Sequence, residues 1–357
     1  MIESNMRSSC ERPLATFALF SYNQEEYIRE AVDAAFAQAY EPLEIILSDD
    51  CSTDGTFEVL KEMAAEYQGP HRVVVQQTIK NMGTFAHVLS VASGTRGELI
   101  VLASGDDVSK SDRTSQLVDM WKTTGAWGLY SRYDCIDRFG RLLGRDKYST
   151  SLLEADHTLR KYFYLEDGEV NIVHGATSAY DRRLFDYFTE ETTRSILSED
   201  GALSLALNIL SRRIVALDRS LVLYRSHPDS LTNDRRQHSR LTIARIKCDI
   251  NKAARYARSC QERAWFALDF YNNNLDENPR RINTDEIDIS IYGFEMQATW
   301  MQKSFVDRFK YLNNKRIKNP AKWMLPRLFG ITFFLMTKYV VKNTQYFASH
   351  WAQKFKN

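Results

Sequence analysis

Two apolar runs in this chain end in carboxylates. Glu44-Ile45-Ile46-Leu47-Ser48-Asp49-Asp50 leads into Cys51-Ser52-Thr53-Asp54-Gly55, and Leu99-Ile100-Val101-Leu102-Ala103-Ser104 leads into Gly105-Asp106-Asp107. Short runs of aliphatic and β-branched residues read as buried parallel strands. Ligands of open α/β sheets sit beyond the carboxyl ends of such strands. Adjacent acids such as Asp106 and Asp107 repel one another unless a cation or donors stabilise them. A hard divalent cation, Mg2+ or Mn2+, suits oxygen ligands and would bridge a diphosphate. The alternative is that they cap a helix near Asp112–Trp121.

Other polar clusters lie where strands meet helices. Phe20-Ser21-Tyr22-Asn23-Gln24-Glu25-Glu26 follows a strand-like run, and its small polar residues would let a base or ribose approach free amide hydrogens at a helix start. Ser21 or Asn23 could equally be a simple N-cap. Asp50 could accept hydrogen bonds from a base imide or a ribose hydroxyl, or serve a turn. Ser198-Glu199-Asp200 opens a helix, where acids complement the helix dipole. Asp200 could also be a general base that takes a proton from a hydroxyl nucleophile. In Tyr224-Arg225-Ser226-His227-Pro228-Asp229-Ser230, His227 could ligate a metal, bind a phosphate or be an inert surface histidine, and Arg225 could neutralise phosphate charge.

These residues need elements to position them. Thr16–Phe20, Leu43–Ser48, Val73–Gln77 and Leu99–Ala103 read as strands. Gln24–Ala39, Thr53–Glu66 and Thr84–Ala92 between them have helical periodicity, with a turn at Asn81-Met82-Gly83. Such alternation implies right-handed βαβ units and a mostly parallel sheet. From about 123 to 230 the pattern is mixed. Strands are expected at Trp127–Tyr130, Ile172–His174 and Leu221–Tyr224, and helices at Asp181–Phe188 and Glu199–Leu210. Later strand signals fade, and Leu241–Phe270 and Ile291–Leu312 read as helices.

At 357 residues with 44% hydrophobic and 26% charged residues, the chain has an ordinary globular composition. Its net charge of +1 conceals a division: residues 1–230 carry −11 and residues 231–357 carry +12. A basic half suits an anionic partner or merely a solvated helical surface. Five cysteines without a CxxC pair suggest a reducing compartment. Met1–Pro13 has no apolar core of a secretory leader. No run of 18 or more apolar residues exists, so a cytoplasmic protein is expected.

The ordered set of Ser21–Glu25, Ser48–Thr56, Asn81–Gly83, Gly97–Ile100, Gly105–Asp107, Glu199-Asp200 and Tyr224–His227 resembles the inverting family 2 glycosyltransferases of GT-A fold, of the bacterial type that builds polysaccharides and glycoconjugates. The resemblance spans roughly residues 12–235. It implies a Rossmann-like α/β domain, with a nucleotide-sugar half at about 12–122 and an acceptor half at about 123–235. A helical C-terminal region, 236–357, would follow. Ser21, Asn23 and Glu25 would line the nucleotide pocket, and Asp50 would contact the base, typically uracil. In the family's Asp-X-Asp motif the first acid holds the ribose and the last holds the metal; these positions are Ser104 and Asp106 here. Asp106 and His227 would thus hold Mn2+ or Mg2+, and Asp200 would be the catalytic base. Asp107, Glu199 and Arg225 would support them from behind or touch phosphate.

Two departures stand out. Ser104 replaces the first acid, and the helix Thr84–Ala92 offers only His87 where many relatives carry an arginine near the diphosphate. The acceptor would be a hydroxyl of a glycan or a lipid-linked glycan, with the loop Ile172–Ser178 under it. The tail from 303 to 357 holds twelve Lys and Arg against Asp307 alone. Within 322–342, the apolar Leu328–Val341 suits an interfacial helix on anionic lipid, peripheral on the cytoplasmic face, or a helix docked on the protein itself. A dinucleotide oxidoreductase would need a G-x-G-x-x-G turn, which Ser21–Tyr27 lacks. A processive synthase would need a Gln-X-X-Arg-Trp motif, which Gln261-Glu262-Arg263-Ala264-Trp265 does not supply. A non-catalytic nucleotide-sugar-binding protein is the alternative function, and no nucleic-acid partner is expected.

Overall fold

The structure is a computed structural model that describes residues 12–145, 164–166, 172–188, 198–227 and 243–299. The tail 322–342 and residues Asp229 and Ser230 lie outside the described residues, as does the later part of the Ile291–Leu312 helix. The chain divides into two compact units, Met1–His227 with Phe270–Ile282 and Pro228–Asp269 with Asn283–Asn357.

Among the described residues the first unit is built on one nine-stranded sheet. Its parallel half follows the predicted alternation: β1 (Ala15–Ser21), α1 (Ile28–Phe36), β2 (Leu43–Asp49), α2 (Thr56–Glu66), β3 (Arg72–Gln77), α3 (Thr84–Gly94) and β4 (Leu99–Ser104). These strands pair in the order β3-β2-β1-β4. Phe17, Leu19, Ile45, Leu47 and Val101 pack in one core with Ile28, Val32, Leu60 and Leu117. β1, β2 and β4 are buried on both faces, which is why they read as continuous apolar runs, whereas β3 at the edge is only partly buried. Glu44 opens β2 at the end of the sheet opposite the strand tips. It is buried, and it accepts from Thr16 Oγ1 (2.7 Å), Gly97 N (3.2 Å) and Arg72 Nη1 (3.0 Å).

The second half of the sheet is mixed. The two-residue β5 (Val108–Ser109) precedes α4 (Arg113–Thr124), followed by β6 (Gly128–Asp137), β7 (Leu142–Arg145), β8 (Ser178–Asp181) and β9 (Ile214–Ser226). β8 runs antiparallel between β4 and β6, whereas β9 runs parallel to β6 and antiparallel to β5. The strand expected at Ile172–His174 is instead irregular chain leading into a single 3-10 turn, Gly175–Thr177, and the strand follows it. Val173 N–H donates to Ser204 Oγ (2.9 Å), so this backbone bonds a helix side chain rather than a ladder. Asp181–Phe188, expected as a helix, forms the short 3-10 segment Arg182–Tyr187. Helix α5 (Glu199–Ile209) is almost wholly buried.

Helix α6 (Ile243–Asn273) is long, and α7 (Thr284–Thr299) begins earlier than its periodicity suggested. No helix among the described residues is long and apolar enough to cross a membrane.

Candidate active site

The tips of β1 and β2 are bound to one another. Asn23 sits at a φ of 51°, and α1 begins only at Ile28 rather than at Gln24. The amides of Asn23, Gln24 and Glu25 donate to Ser52 Oγ (2.8 Å), Thr56 Oγ1 (2.8 Å) and Asp54 Oδ2 (3.2 Å). The expectation of free amides here is therefore corrected, because the next loop already engages them. In return Asn23 Oδ1 accepts from Thr53 N (2.8 Å) and Glu25 Oε2 from Gly55 N (2.9 Å). A Cβ on Gly55 would lie 2.5 Å from Glu25 Oε1, so any larger residue there would displace the Glu25 carboxylate. Ser21 is buried and donates toward Asp49 Oδ1 (3.2 Å).

Asp50 is buried beneath the Asn81–Gly83 turn. Its Oδ1 accepts from Met82 N (2.8 Å) and Thr78 Oγ1 (3.0 Å), and its Oδ2 from Gly83 N (2.9 Å). Gly83 adopts a φ of 80°, a conformation that favours glycine. His87 turns inward from α3, is buried, and pairs through Nε2 with Ser48 Oγ (2.6 Å). Burial holds its pKa below the usual imidazole value. His87 is thus a core histidine.

At the tip of β4, Gly105 N–H donates to Phe20 O (2.8 Å), and a Cβ on Gly105 would come within 2.6 Å of Gln24 Oε1. This close approach sets Asp106 beside the first loop. Ser104 Oγ donates to Asp106 Oδ1, and His227 Nε2 lies 3.0 Å from Asp106 Oδ2. These two residues are 121 positions apart in sequence.

Arg225 holds this pair from behind. Its side chain is fully buried; Nε donates to Asp106 O (2.8 Å), Nη1 to Asp137 O (3.4 Å) and Arg138 O (3.3 Å), and Nη2 to Glu30 Oε2 (2.7 Å). Its guanidinium lies 5.0 Å from the centre of the Tyr27 ring. This enclosure turns the Arg225 guanidinium toward Asp106 O and Glu30. Asp107 is also buried and accepts from Arg225 N (2.8 Å). Burial first, and the charge of Asp106 second, push its carboxyl well above the usual range.

Asp200 lies in the first turn of α5. Ser198 caps that helix, accepting from Gly201 N (3.3 Å), and its hydroxyl also meets Asp200 Oδ1. Gly175 N–H reaches Asp200 Oδ2 at 3.4 Å. Because β8 runs antiparallel to β4, the Gly175–Thr177 turn that precedes it lies at the carboxyl end of β4. Arg113 secures that arrangement, donating through Nη2 to Leu102 O (2.7 Å), Ala176 O (3.4 Å) and Ser178 O (3.3 Å). Glu199 beside Asp200 is pushed up to about 7, by burial first and by the charge of Asp200 second.

The carboxyl-terminal ends of β1, β4 and β9, the loops after β1, β2, β4 and β9, and the start of α5 thus carry every expected site residue. Sequence reasoning missed Arg113 and Glu30, and it named Gly175 only as part of the expected acceptor loop Ile172–Ser178. Arg113 could have been suspected as a cation at a helix start within an apolar sheet domain. Glu30 left no local signal.

The donor set at Asp106 and His227 fits a divalent cation. A carboxylate oxygen and an imidazole nitrogen 3.0 Å apart are spaced as neighbouring ligands at about 2.1 Å from one ion would be. Among the described residues no group of three or more His, Cys, Asp or Glu could hold a metal. Substrate oxygens and water would complete the shell, as is usual for cations bound with nucleotides.

A family model described as "Glycosyltransferase like family 2" matches residues 13–243. An uncharacterized protein of Mycobacterium tuberculosis is 49% identical over 88 residues, which are 24% of this chain and 25% of that protein. The glycosyltransferase GlyA of Streptococcus pneumoniae is 25% identical over 216 residues, 59% of this chain and 30% of its own. These matches span well under half of either relative's length. Among solved structures, a mannosyltransferase from Pyrobaculum calidifontis in complex with GDP-Man and Mn2+ aligns with a TM-score of 0.49 and 15% identity, over 89% of this chain and 85% of that one.

Proposed function

We propose a reaction from one premise, that the chain belongs to glycosyltransferase-like family 2. It moves a sugar from a nucleotide sugar to a hydroxyl of a glycan or lipid-linked glycan, with inversion at the anomeric carbon. The observation that carries this reading is the convergence of three carboxylates on one sheet end: Asp50 after β2, Asp106 after β4 and Asp200 opening α5.

Each residue of the chain has a physical role in it. Asp50 Oδ2 accepts one backbone donor, from Gly83, and so keeps acceptor capacity. One open acceptor suits the single imide N–H of uracil better than the paired donors of guanine, which favours a UDP-sugar. Ser21, Asn23 and Glu25 fix the wall of that pocket through the second loop. Ser104 orients Asp106 and offers a hydroxyl to the ribose. Asp106 and His227 would hold Mn2+ or Mg2+, which supplies positive charge against the departing nucleoside diphosphate. Asp200 accepts the proton of the attacking hydroxyl as the new C–O bond forms and the bond to the diphosphate oxygen breaks. Gly175 N–H steadies its carboxylate.

The test is a panel of nucleotide sugars with the wild type and Asp200→Asn. The variant is expected to bind UDP as before and to lose roughly 10^2–10^4-fold in transfer. Chelation should stop transfer, and Mn2+ or Mg2+ should restore it. Near-wild-type turnover in Asp200→Asn would remove the base assignment. Donor binding without transfer or hydrolysis in the wild type would favour the non-catalytic binding protein.

A further inference from the structure

His227 is the first residue beyond β9, one position past Ser226, where the pairing with β6 ends. Its Nε2 lies 3.0 Å from Asp106 Oδ2. An imidazole offers its lone pair in the plane of the ring, so rotation of the ring by itself would turn that nitrogen away. The Asp106 carboxylate has Ser104 Oγ to orient it. Against the imidazole lies a second ring. The centres of the Tyr27 and His227 rings are 4.8 Å apart, with their planes inclined at 43°. Close ring pairs of this kind are attractive and have preferred geometries.

Tyr27 is itself fixed. It is buried and immediately precedes α1, with its N–H donating to Gln24 O (2.9 Å) and its carbonyl accepting from Ala31 N (3.4 Å). Its hydroxyl bonds the Glu26 carboxylate, which pairs with Arg138 Nη2 (2.9 Å). The Arg225 guanidinium, 5.0 Å from the Tyr27 ring centre, is within reach of a cation–π contact. One ring at the start of α1 thus touches both Arg225, which donates to the Asp106 carbonyl, and His227, which faces the Asp106 carboxylate.

We propose that Tyr27 is a positioning residue of the cation site: its ring holds the His227 imidazole at the angle that aims Nε2 at an ion shared with Asp106. The inference rests on the reading of Asp106 and His227 as cation ligands and deepens it. Groups behind a ligating histidine fix its orientation, and losing one costs roughly 10–100-fold in metal affinity. Here the group acts by ring contact, since the Tyr27 hydroxyl is engaged by Glu26. The ring alone should therefore be sufficient, and the hydroxyl dispensable.

The experiment uses the full chain with UDP and Mn2+, without turnover. Pulsed electron paramagnetic resonance reads the coupling of Mn2+ to a directly bound imidazole nitrogen, and titration of Mn2+ at saturating UDP reads its Kd. The wild type should show the nitrogen coupling and His227→Ala should lose it. Tyr27→Leu should lose it too and raise the Kd for Mn2+ at least roughly tenfold, while its affinity for UDP without a cation stays at the wild-type value. Tyr27→Phe, which keeps the ring, should match the wild type in both. If Tyr27→Leu does not melt cooperatively, Tyr27→Met removes the ring and carries the same expectation. Unchanged coupling and Kd without the ring, alongside loss in His227→Ala, would overturn the role of Tyr27 and leave His227 a ligand. Coupling absent from the wild type, or retained in His227→Ala, would overturn the ligand reading and the proposal with it. Tyr27→Phe failing like Tyr27→Leu would trace the effect to the hydroxyl and overturn the proposal. Added to His227→Ala, Tyr27→Leu should cost less than about twofold more in Kd; a further loss of about tenfold would show that the ring does not act through His227.

Discussion

Glu199 and Asp200 are neighbours in sequence whose surroundings separate them. Glu199 is the one raised to about 7, because its carboxyl is buried and faces the charge of Asp200. The folded protein therefore keeps a proton that the unfolded chain releases near 4.5, the ordinary value. The sign follows from linkage: this group's contribution to stability is full below about pH 4.5, declines up to about 7 and is gone above that. Glu199→Gln should consequently melt close to the wild type at about pH 5 and above it at about pH 8. Melting temperatures of both proteins across that range check it, and parallel curves would refute it. Such pairing was only half legible beforehand. The acids at a helix start were visible in Ser198-Glu199-Asp200, but which one is shielded depends on α3 and on the Gly175 turn. The same limit applied to Arg225 and His87. A residue type announces a charge, while its direction depends on carbonyls and hydroxyls brought in by distant elements.

The Gly175–Thr177 turn does at the element scale what capping does for α5 at the residue scale. It brings an amide to Asp200, and it packs so closely that a Cβ on Gly175 would meet Glu199 Oε1 at 2.6 Å and Asp200 Oδ2 at 3.3 Å. Gly175→Ala should push the two acids aside with little effect on the sheet. The expectation is a loss of roughly 10–100-fold in kcat, since misplacement of about 1 Å is enough, with the donor KM near wild type. Steady-state kinetics beside a melting curve would decide it, and an unchanged kcat would show that the turn does not position the base. The parallel half of the sheet was legible because β1, β2 and β4 are apolar on both faces. β9 was legible only in its Leu221–Tyr224 stretch: it runs for 13 residues through Asp218-Arg219-Ser220, and its register with β6 shifts around Arg132. β8 was hidden because its four residues, Ser178-Ala179-Tyr180-Asp181, are all buried yet half polar.

At the scale of the molecule, the proposed nucleotide site is assembled from loops that the chain supplies far apart. Asp50 secures the turn before α3, and Asp106 meets His227 across 121 positions. A ligand that bridges these loops should stabilise the sheet-bearing unit as a whole rather than one loop. At about 100 times its Kd such a ligand adds roughly 2.7 kcal/mol, which for a unit of this size corresponds to about 5–10 °C in Tm. UDP with Mn2+ should reach that range, and UDP with a chelator should fall well short, because the two protein donors alone leave the diphosphate without its counter-charge. Asp106→Ala should abolish the difference between the two conditions while keeping the smaller shift due to UDP, since base contact at Asp50 is independent of it. A UDP shift of the same size with and without Mn2+ in the wild type would sink the cation assignment at Asp106 and His227. No shift under either condition would remove the uridine reading of Asp50 and leave the base to be sought among other nucleotides.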